Sequence, residues 1–252
     1  MEDFKNAELI EAYRKAFCRL ILLDYDGTLV DYTPIPGTDK LTNHLFDILK
    51  NLINSPNTNL FIITGRSHQE IDEIFANLPI NIIAEHGAMI KEKGIWRNQL
   101  LNKNLWKEAA FPILNQISSE CPGSFVEEKL FSLAWHYRNS EPQSGHTYSR
   151  ELISKLEKIM HLYKLKFLDG NKVLEIMTVE TGKGKAVKDL FENTDYDFIL
   201  SIGDDVTDEE VFEYFLPVNQ AYTIKVGTGV TCAKYQFAGI KNVISLLKNI
   251  SV

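Results

Sequence analysis

Five short, mostly apolar runs limit what this chain can fold into: residues 20–23, 59–64, 80–84, 198–202 and 222–226. Each is shorter than an ordinary helix and reads as a strand, with 20–23 and 59–64 reading as strands buried on both sides. Segments with apolar residues at helical spacing stand around them. Phe4, Leu9, Ile10, Tyr13 and Phe17 mark one over 4–17, and Leu45, Ile48, Leu49 and Leu52 mark another over 41–53. Further helical stretches are expected at 69–78, 184–191, 208–215 and 238–250. Buried strands alternating with amphipathic helices predict an α/β fold with a parallel sheet and crossover helices.

The alternation breaks in the middle of the chain. Two short strands flank Lys93-Gly94, a hairpin signal, and a helix follows over 105–118. Strands are expected at 124–126 and 131–137, the second alternating Phe131, Leu133, Trp135 and Tyr137. A helix over 148–162 and a strand pair within 166–177, turning at Asp169-Gly170, complete the block. Such a block reads as an inserted α+β domain over 89–178, leaving 1–88 and 179–252 as a discontinuous core domain.

Composition excludes several function classes. The formal net charge of -7 disfavours a nucleic-acid backbone as partner. An anionic substrate would need local cations and a metal. Cys18, Cys121 and Cys232 are far apart and form no C-x-x-C pair, so they read as buried small hydrophobes in a reducing compartment rather than a disulfide or zinc framework. No apolar run approaches the ~18 residues a membrane span needs, and the amino end lacks a signal-peptide pattern, so a cytoplasmic location is expected.

The chemistry sits where the strands end. Asp24 and Asp26 close the first run, and Gly27 lets the chain turn before Thr28. Ligands of open α/β sheets bind beyond the carboxyl ends of strands. Two like charges one residue apart there call for a divalent cation. Such a pair also permits phosphoryl chemistry, one carboxylate attacking phosphorus and the other moving protons. The second run ends in Thr64-Gly65-Arg66, a hydroxyl and backbone N–H groups suited to a phosphate, with Arg66 as a fork for phosphate or sugar oxygens. Lys183, between Gly182 and Gly184, can approach an anion closely, although the segment lacks Walker A spacing. The fourth run ends in Gly203-Asp204-Asp205, with Asp208 and Glu209 following. One of these carboxylates can complete a Mg²⁺ shell while others cap the helix or orient Lys183. His86 follows the third run and is a candidate substrate contact. The six histidines show no metal-ligand spacing.

In this order, Asp24-x-Asp26-Gly-Thr, Thr64, Lys183 and Gly203-Asp204-x-x-x-Asp208 resemble the haloacid-dehalogenase-like (HAD) phosphatase superfamily. The insertion is similar to its C2-type cap, so the implied fold is a Rossmann-like HAD core plus a cap. Within it the chain resembles trehalose-6-phosphate phosphatases. That resemblance rests on Ala84-Glu-His-Gly-Ala, Pro122-Gly-Ser-Phe-Val-Glu-Glu-Lys129, Trp135-His-Tyr-Arg138, Lys183-Gly-Lys-Ala and Gly203-Asp-Asp-Val-Thr-Asp-Glu209, and it spans roughly residues 20 to 230. It implies Asp24 as nucleophile and Mg²⁺ ligand, and Asp26 as general acid and base with its carbonyl on the metal. Asp204 becomes the third ligand, and Thr64 and Lys183 hold the phosphoryl oxygens. Asp208 supports the metal shell or Lys183, with Gly65 and Asp205 as supporting residues. Glu127, Lys129, Arg138 and Glu175 match positions that hold the distal sugar, a suitable mixture because sugar hydroxyls both donate and accept. The family often has Ser where this chain has Thr64; the hydroxyl is kept.

The expected activity is Mg²⁺-dependent hydrolysis of trehalose 6-phosphate through an aspartyl-phosphate. The alternatives are a phosphatase for sucrose phosphate, glucosylglycerol phosphate or another sugar phosphate, a phosphotransferase or mutase, and a non-catalytic sugar-phosphate sensor. At 252 residues there is no room for the glucosyltransferase domain fused to some relatives, so pairing with a separate trehalose-6-phosphate synthase is expected.

Overall fold

A computed structural model describes residues 2–32, 41–99 and 105–251. Helix α1 (Glu2–Lys15) leads into β1 (Arg19–Asp24), α2 (Asn43–Asn54) into β2 (Thr58–Ile63), and α3 (His68–Ile74) into β3 (Asn81–Ala84). A short 3₁₀ turn (Glu85–Gly87) opens a hairpin of β4 (Met89–Glu92) and β5 (Ile95–Asn98). Then come α4 (Leu105–Glu120), β6 (Phe125–Glu128), β7 (Ser132–His136), α5 (Pro142–Tyr163), β8 (Leu165–Gly170) and β9 (Val173–Thr178). The chain closes with α6 (Lys183–Phe191), β10 (Phe198–Gly203), α7 (Val206–Phe215), β11 (Ala221–Val226), β12 (Tyr235–Phe237) and α8 (Ile240–Ile250). These elements form two compact units, residues 1–99 with 182–252, and residues 100–181.

The larger unit holds an eight-stranded sheet in the order β12-β11-β10-β1-β2-β3-β4-β5, parallel from β12 to β3. All four apolar residues of β1, Leu20 to Leu23, are fully buried, as expected of a strand covered on both faces. Leu20, Leu22, Phe61, Ile63 and Ile83 pack against Val187, Phe191, Val211 and Phe215 of α6 and α7. Helix α2 buries Leu45, Ile48, Leu49 and Leu52, and the Thr42 hydroxyl caps its amino end by accepting from the Leu45 amide. The chain winds outward from β1 through β2 and β3 on one side, and from β10 through β11 and β12 on the other. The order thus reverses between β1 and β10, which opens a crevice beyond their carboxyl ends.

The smaller unit is a four-stranded antiparallel sheet, β6-β7-β9-β8, with α4 and α5 on one face. Leu133, Trp135 and Tyr137 point at those helices, where Trp106, Leu114, Ile117, Leu152 and Leu156 complete the core. The alternate residues, Ser132, Ala134 and His136, lie on the opposite face with Glu127 and Glu175 by register.

Several boundaries differ from the sequence expectation. The β4–β5 hairpin belongs to the large sheet rather than the insertion, because β4 pairs antiparallel with β3 through Ile83↔Ile90 and buries Ile90 in the larger core. The two compact units therefore divide near residue 100, not at 89. The β8–β9 turn falls at Asn171-Lys172, where Lys172 takes φ +64°, so Asp169-Gly170 stays in strand. Helix α5 begins six residues before the expected 148, because the Glu141 carboxylate caps the amides of Gln143 and Ser144 and Pro142 occupies its first turn. Strand β12 has only three residues, too few for a periodic signal. Cys121 is buried, but Cys18 and Cys232 are partly exposed. Cys232 is no simple hydrophobe, since its thiol lies 3.0 Å from Glu209 Oε2. Among the described residues no helix is long and apolar enough to cross a membrane.

Candidate active site

Asp24 is the last residue of β1, and Asp204 is the first residue beyond β10, the strand paired with it. Residues 180 positions apart in sequence therefore meet at one sheet edge. Oxygens of Asp24, Asp204 and Asp208 all lie within 4.8 Å of one another. Lys183, the first residue of α6, places its ammonium 2.7 Å from Asp24 Oδ1 and 2.8 Å from Asp208 Oδ1. All three side chains are buried. Burial raises the Asp24 carboxyl well above the usual carboxylate range, Lys183 opposes that, and Asp208 and Asp204 add to it. Burial alone would lower the Lys183 ammonium, yet Asp208 and Asp24 hold it above its ordinary value. Burial, then Asp208, push Asp204 up to about 6.

The acids after β10 have separate work. Asp205 caps α7, its carboxylate accepting from the Val206 amide at 2.7 Å. Asp208 Oδ2 accepts the amides of Asp204 and Asp205, both at 3.1 Å, while its Oδ1 takes Lys183. Asp208 therefore has both oxygens committed. The Asp204 carboxylate accepts hydroxyls from Thr28 at 3.3 Å and Tyr32 at 3.0 Å. Gly27 makes this approach possible. It sits at φ +79°, and a Cβ there would lie 2.2 Å from Asp204 Oδ2.

Thr64, buried just beyond β2, accepts from the Arg66 amide at 3.2 Å. The Glu85 and His86 amides donate to the carbonyls of Arg66 and Thr64 at 3.0 and 3.1 Å, clamping this loop. Gly65 is required there, because a Cβ would lie 2.5 Å from the His86 ring. Glu85 and His86 both adopt φ near +50° and are buried, so a strained turn supports the loop. The buried Glu85 carboxylate lies 2.7 Å from His68 Nδ1. Arg66, expected as a fork for substrate oxygens, instead holds Asp26: Nε and Nη2 donate to its two oxygens at 2.7 and 2.5 Å. A third nitrogen pairs with Glu70, and the guanidinium lies 5.1 Å from the Tyr25 ring centre.

In the smaller unit, Glu127, Ala134 and Glu175 are aligned by register across three strands. Lys129 Nζ donates to Glu175 at 3.0 Å and Ser132 donates to the same oxygen at 2.5 Å, in a buried cluster. Glu127 pairs with His136 at 2.8 Å. Burial would raise the Glu127 carboxyl, but the His136 hydrogen bond and Lys129 bring it below its usual range. Arg138 lies past the end of β7, exposed, and donates to the Asn171 carbonyl at 2.7 Å, apart from the Lys129–Glu175 pair.

Tyr32, Glu85, Lys225 and the Asp26-to-Arg66 fork were not anticipated. The readable signals were an acid beside His86 and a lysine inside the apolar run 222–226.

The donor set suits a hard dication. It offers carboxylate oxygens from Asp24, Asp204 and Asp208, ligands that suit hard divalent ions better than softer metals. Three carboxylates against one ammonium leave two negative charges uncancelled in a buried site. Burial raises the Asp24 and Asp204 carboxyls, and the neighbouring acids add to it.

The sequence model of a family described as trehalose-phosphatase matches residues 22–238. The bifunctional trehalose-6-phosphate synthase/phosphatase of Thermoproteus tenax is 36% identical over 99% of this chain and 34% of its own length. The trehalose-phosphatase of Saccharomyces cerevisiae is 30% identical over 93% of this chain and 28% of its own. The chain thus spans about a third of the length of these curated relatives. The structure of the Candida albicans trehalose-6-phosphate phosphatase C-terminal domain superposes with a TM-score of 0.91 at 26% identity, covering 98% of this chain and 96% of that one.

Proposed function

The chain belongs to the trehalose-phosphatase family, and from that premise we propose that it hydrolyses trehalose 6-phosphate to trehalose and phosphate through an aspartyl-phosphate. The observation that carries this is the state of Asp24. One of its oxygens is bonded to Lys183, and the other has no hydrogen bond among the described residues. A buried carboxylate with a free oxygen at a strand end is a nucleophile in waiting.

In this reading Asp24 forms a bond to phosphorus as the bond to the sugar oxygen breaks, and Asp26 gives that oxygen its proton. Asp26 then takes a proton from water, whose oxygen attacks phosphorus and frees Asp24. Arg66 orients Asp26, which gives up one of its two Arg66 hydrogen bonds to carry the proton. Thr64 and Lys183 hold the phosphoryl oxygens, and Lys183 also lowers the repulsion between an anionic nucleophile and an anionic ester. Asp24, Asp204 and the Asp26 carbonyl would hold Mg²⁺. Asp208, with both oxygens committed, orients Lys183 and the Asp204 loop. When bound, the ion supplies positive charge at the transferring phosphoryl group.

The inserted unit acts as a cap, its Glu127, Lys129 and Glu175 reading the second sugar. His86 stands beside the phosphate loop as a further substrate contact. Arg138, turned to Asn171, is the weakest member of the set. The phosphate ester would come from a trehalose-6-phosphate synthase activity, which the Thermoproteus relative carries by name in the same chain as its phosphatase.

A phosphate-release panel over sugar phosphates with Mg²⁺ tests the reading, using wild type, Asp24→Asn and Glu127→Ala. Release from trehalose 6-phosphate that vanishes in Asp24→Asn supports it. Full activity of Asp24→Asn removes the aspartyl-phosphate. Equal turnover of glucose 6-phosphate removes the disaccharide specificity, and a preference for sucrose phosphate reassigns the substrate.

A further inference from the structure

Lys225 is an ammonium inside a buried strand, 7% exposed, and the chemistry above does not use it. Its register partner across β10–β11 is Gly203, the residue that precedes Asp204. Its Nζ donates to the main-chain carbonyl of Asp204 at 2.5 Å and lies 3.6 Å from Glu209 Oε1. Glu209 is itself fixed. Its other oxygen accepts from the Thr231 hydroxyl at 3.1 Å and from the Cys232 amide and thiol, both at 3.0 Å.

The consequence falls on Asp204. Its amide donates to Asp208 Oδ2 at 3.1 Å, and its carbonyl accepts from Lys225. The peptide groups on both sides of this residue are therefore held, one by α7 and one by β11. With both peptide groups fixed, the backbone holds the position from which the Asp204 carboxylate meets Asp24. A charged side chain inside a parallel strand is costly to bury, and among the described residues its hydrogen bond goes to this carbonyl.

We infer that Lys225 is a positioning residue for Asp204, anchored by Glu209 with Thr231 and Cys232, and that it sets the affinity of the site for a divalent cation. This rests on the proposed reading of Asp204 as a metal ligand. The sign of the effect separates positioning from simple charge. By Coulomb's law alone, an ammonium near the site repels a dication, so its removal would tighten binding. Positioning predicts the opposite.

The test is Mg²⁺ binding to the purified full chain by titration calorimetry, with Mn²⁺ binding by electron paramagnetic resonance as a second reading. Thermal melts without metal report folding. Outer-shell partners of metal ligands typically change affinity about 10- to 100-fold. Lys225→Met is expected to weaken binding by that factor, and Lys225→Arg, which keeps the donor, by about threefold or less. A folded Lys225→Met that binds Mg²⁺ as tightly as wild type, or more tightly, overturns the inference. If Lys225→Met does not fold, Glu209→Gln takes its place, and unchanged affinity there is equally fatal. Wild type that binds no Mg²⁺ at all would instead overturn the metal-dependent reading itself.

Discussion

Lys183→Met removes the only cation bonded to Asp24 among the described residues and leaves Asp24 and Asp208 facing each other. Both carboxylates are buried, at 5% and 2% exposure, so water cannot take the place of the lost ammonium. Hydrogen bonds to charged groups contribute about 1.5–3 kcal/mol each. Two are lost here, at 2.7 and 2.8 Å. Breaking a buried ion pair on one side costs about 3–5 kcal/mol, and the two estimates agree. That is a large share of the roughly 5–15 kcal/mol that holds a domain together. The pH dependence has a definite sign. Burial already raises the Asp24 carboxyl above its unfolded value and Lys183 opposes that, so in the variant it rises further and the native state binds more protons than the unfolded state. Stability then falls as pH rises from about 4 through the raised native pKa. Urea unfolding of both proteins in EDTA, at pH 5 and pH 8, measures this. The expected gap is about 3–5 kcal/mol at pH 8 and smaller at pH 5. A gap below about 1 kcal/mol at pH 8, or one that widens at pH 5, refutes the reasoning.

Three other outcomes follow from the same geometry. Gly27→Ala pays about 1–2 kcal/mol for its left-handed backbone, and its Cβ displaces the Asp204 carboxylate; Mg²⁺ titration should show binding lost in a protein that still folds, and retained affinity contradicts the close approach. Asp205→Ser keeps an N-cap, so stability should change by no more than about 0.5 kcal/mol and Mg²⁺ affinity should stay near wild type; a tenfold weaker Kd would mean that Asp205 reaches the metal. Burial, then the Glu209 hydrogen bond, push the Cys232 thiol up to about 11. Iodoacetamide mapping by mass spectrometry should find it slow to alkylate at pH 8, with the rate climbing toward pH 11 as thiolate forms; rapid labelling at pH 8 excludes that thiol environment.

The parallel strands were legible because a doubly buried strand must be apolar throughout, and 20–23 and 198–202 have no polar residue to spare except Ser201. The acids at their ends were legible because nothing in a buried strand explains them. The β4–β5 hairpin was visible as a hairpin, but its membership was not. Lys93-Gly94 specifies a turn, whereas joining β3 depends on Ile90 reaching a core assembled from distant residues. The start of α5 was hidden for a similar reason. Pro142 to Thr147 reads as loop by composition, and only the Glu141 cap and the buried Gly145 and Ser149 make it helix. Within the site, residue types were readable but partnerships were not. Arg66 is a fork in any reading. That Asp26 fills it depends on a loop position set by two amides, those of Glu85 and His86, whose left-handed backbone leaves no periodic trace.

The run of acids after β10 shows how a sequence that looks redundant becomes specific. Asp204, Asp205, Asp208 and Glu209 are equivalent as charges, and net charge alone would treat them alike. Geometry separates them by what is already bound to each oxygen. Asp205 is spent on the Val206 amide, Asp208 on Lys183 and two amides, and Glu209 on Thr231, Cys232 and Lys225. Among the described residues Asp204 accepts from two hydroxyls, those of Thr28 and Tyr32, which are weaker partners than an ammonium or a cation. Burial, then Asp208, raise its carboxyl to about 6, while Glu209, hydrogen-bonded by Cys232 and Thr231 against the effect of burial, falls below its usual value. The carboxylate left least neutralised is the one that faces Asp24. The three committed acids are what keep it there, so the specificity of the site resides as much in the acids that are saturated as in the one that is not.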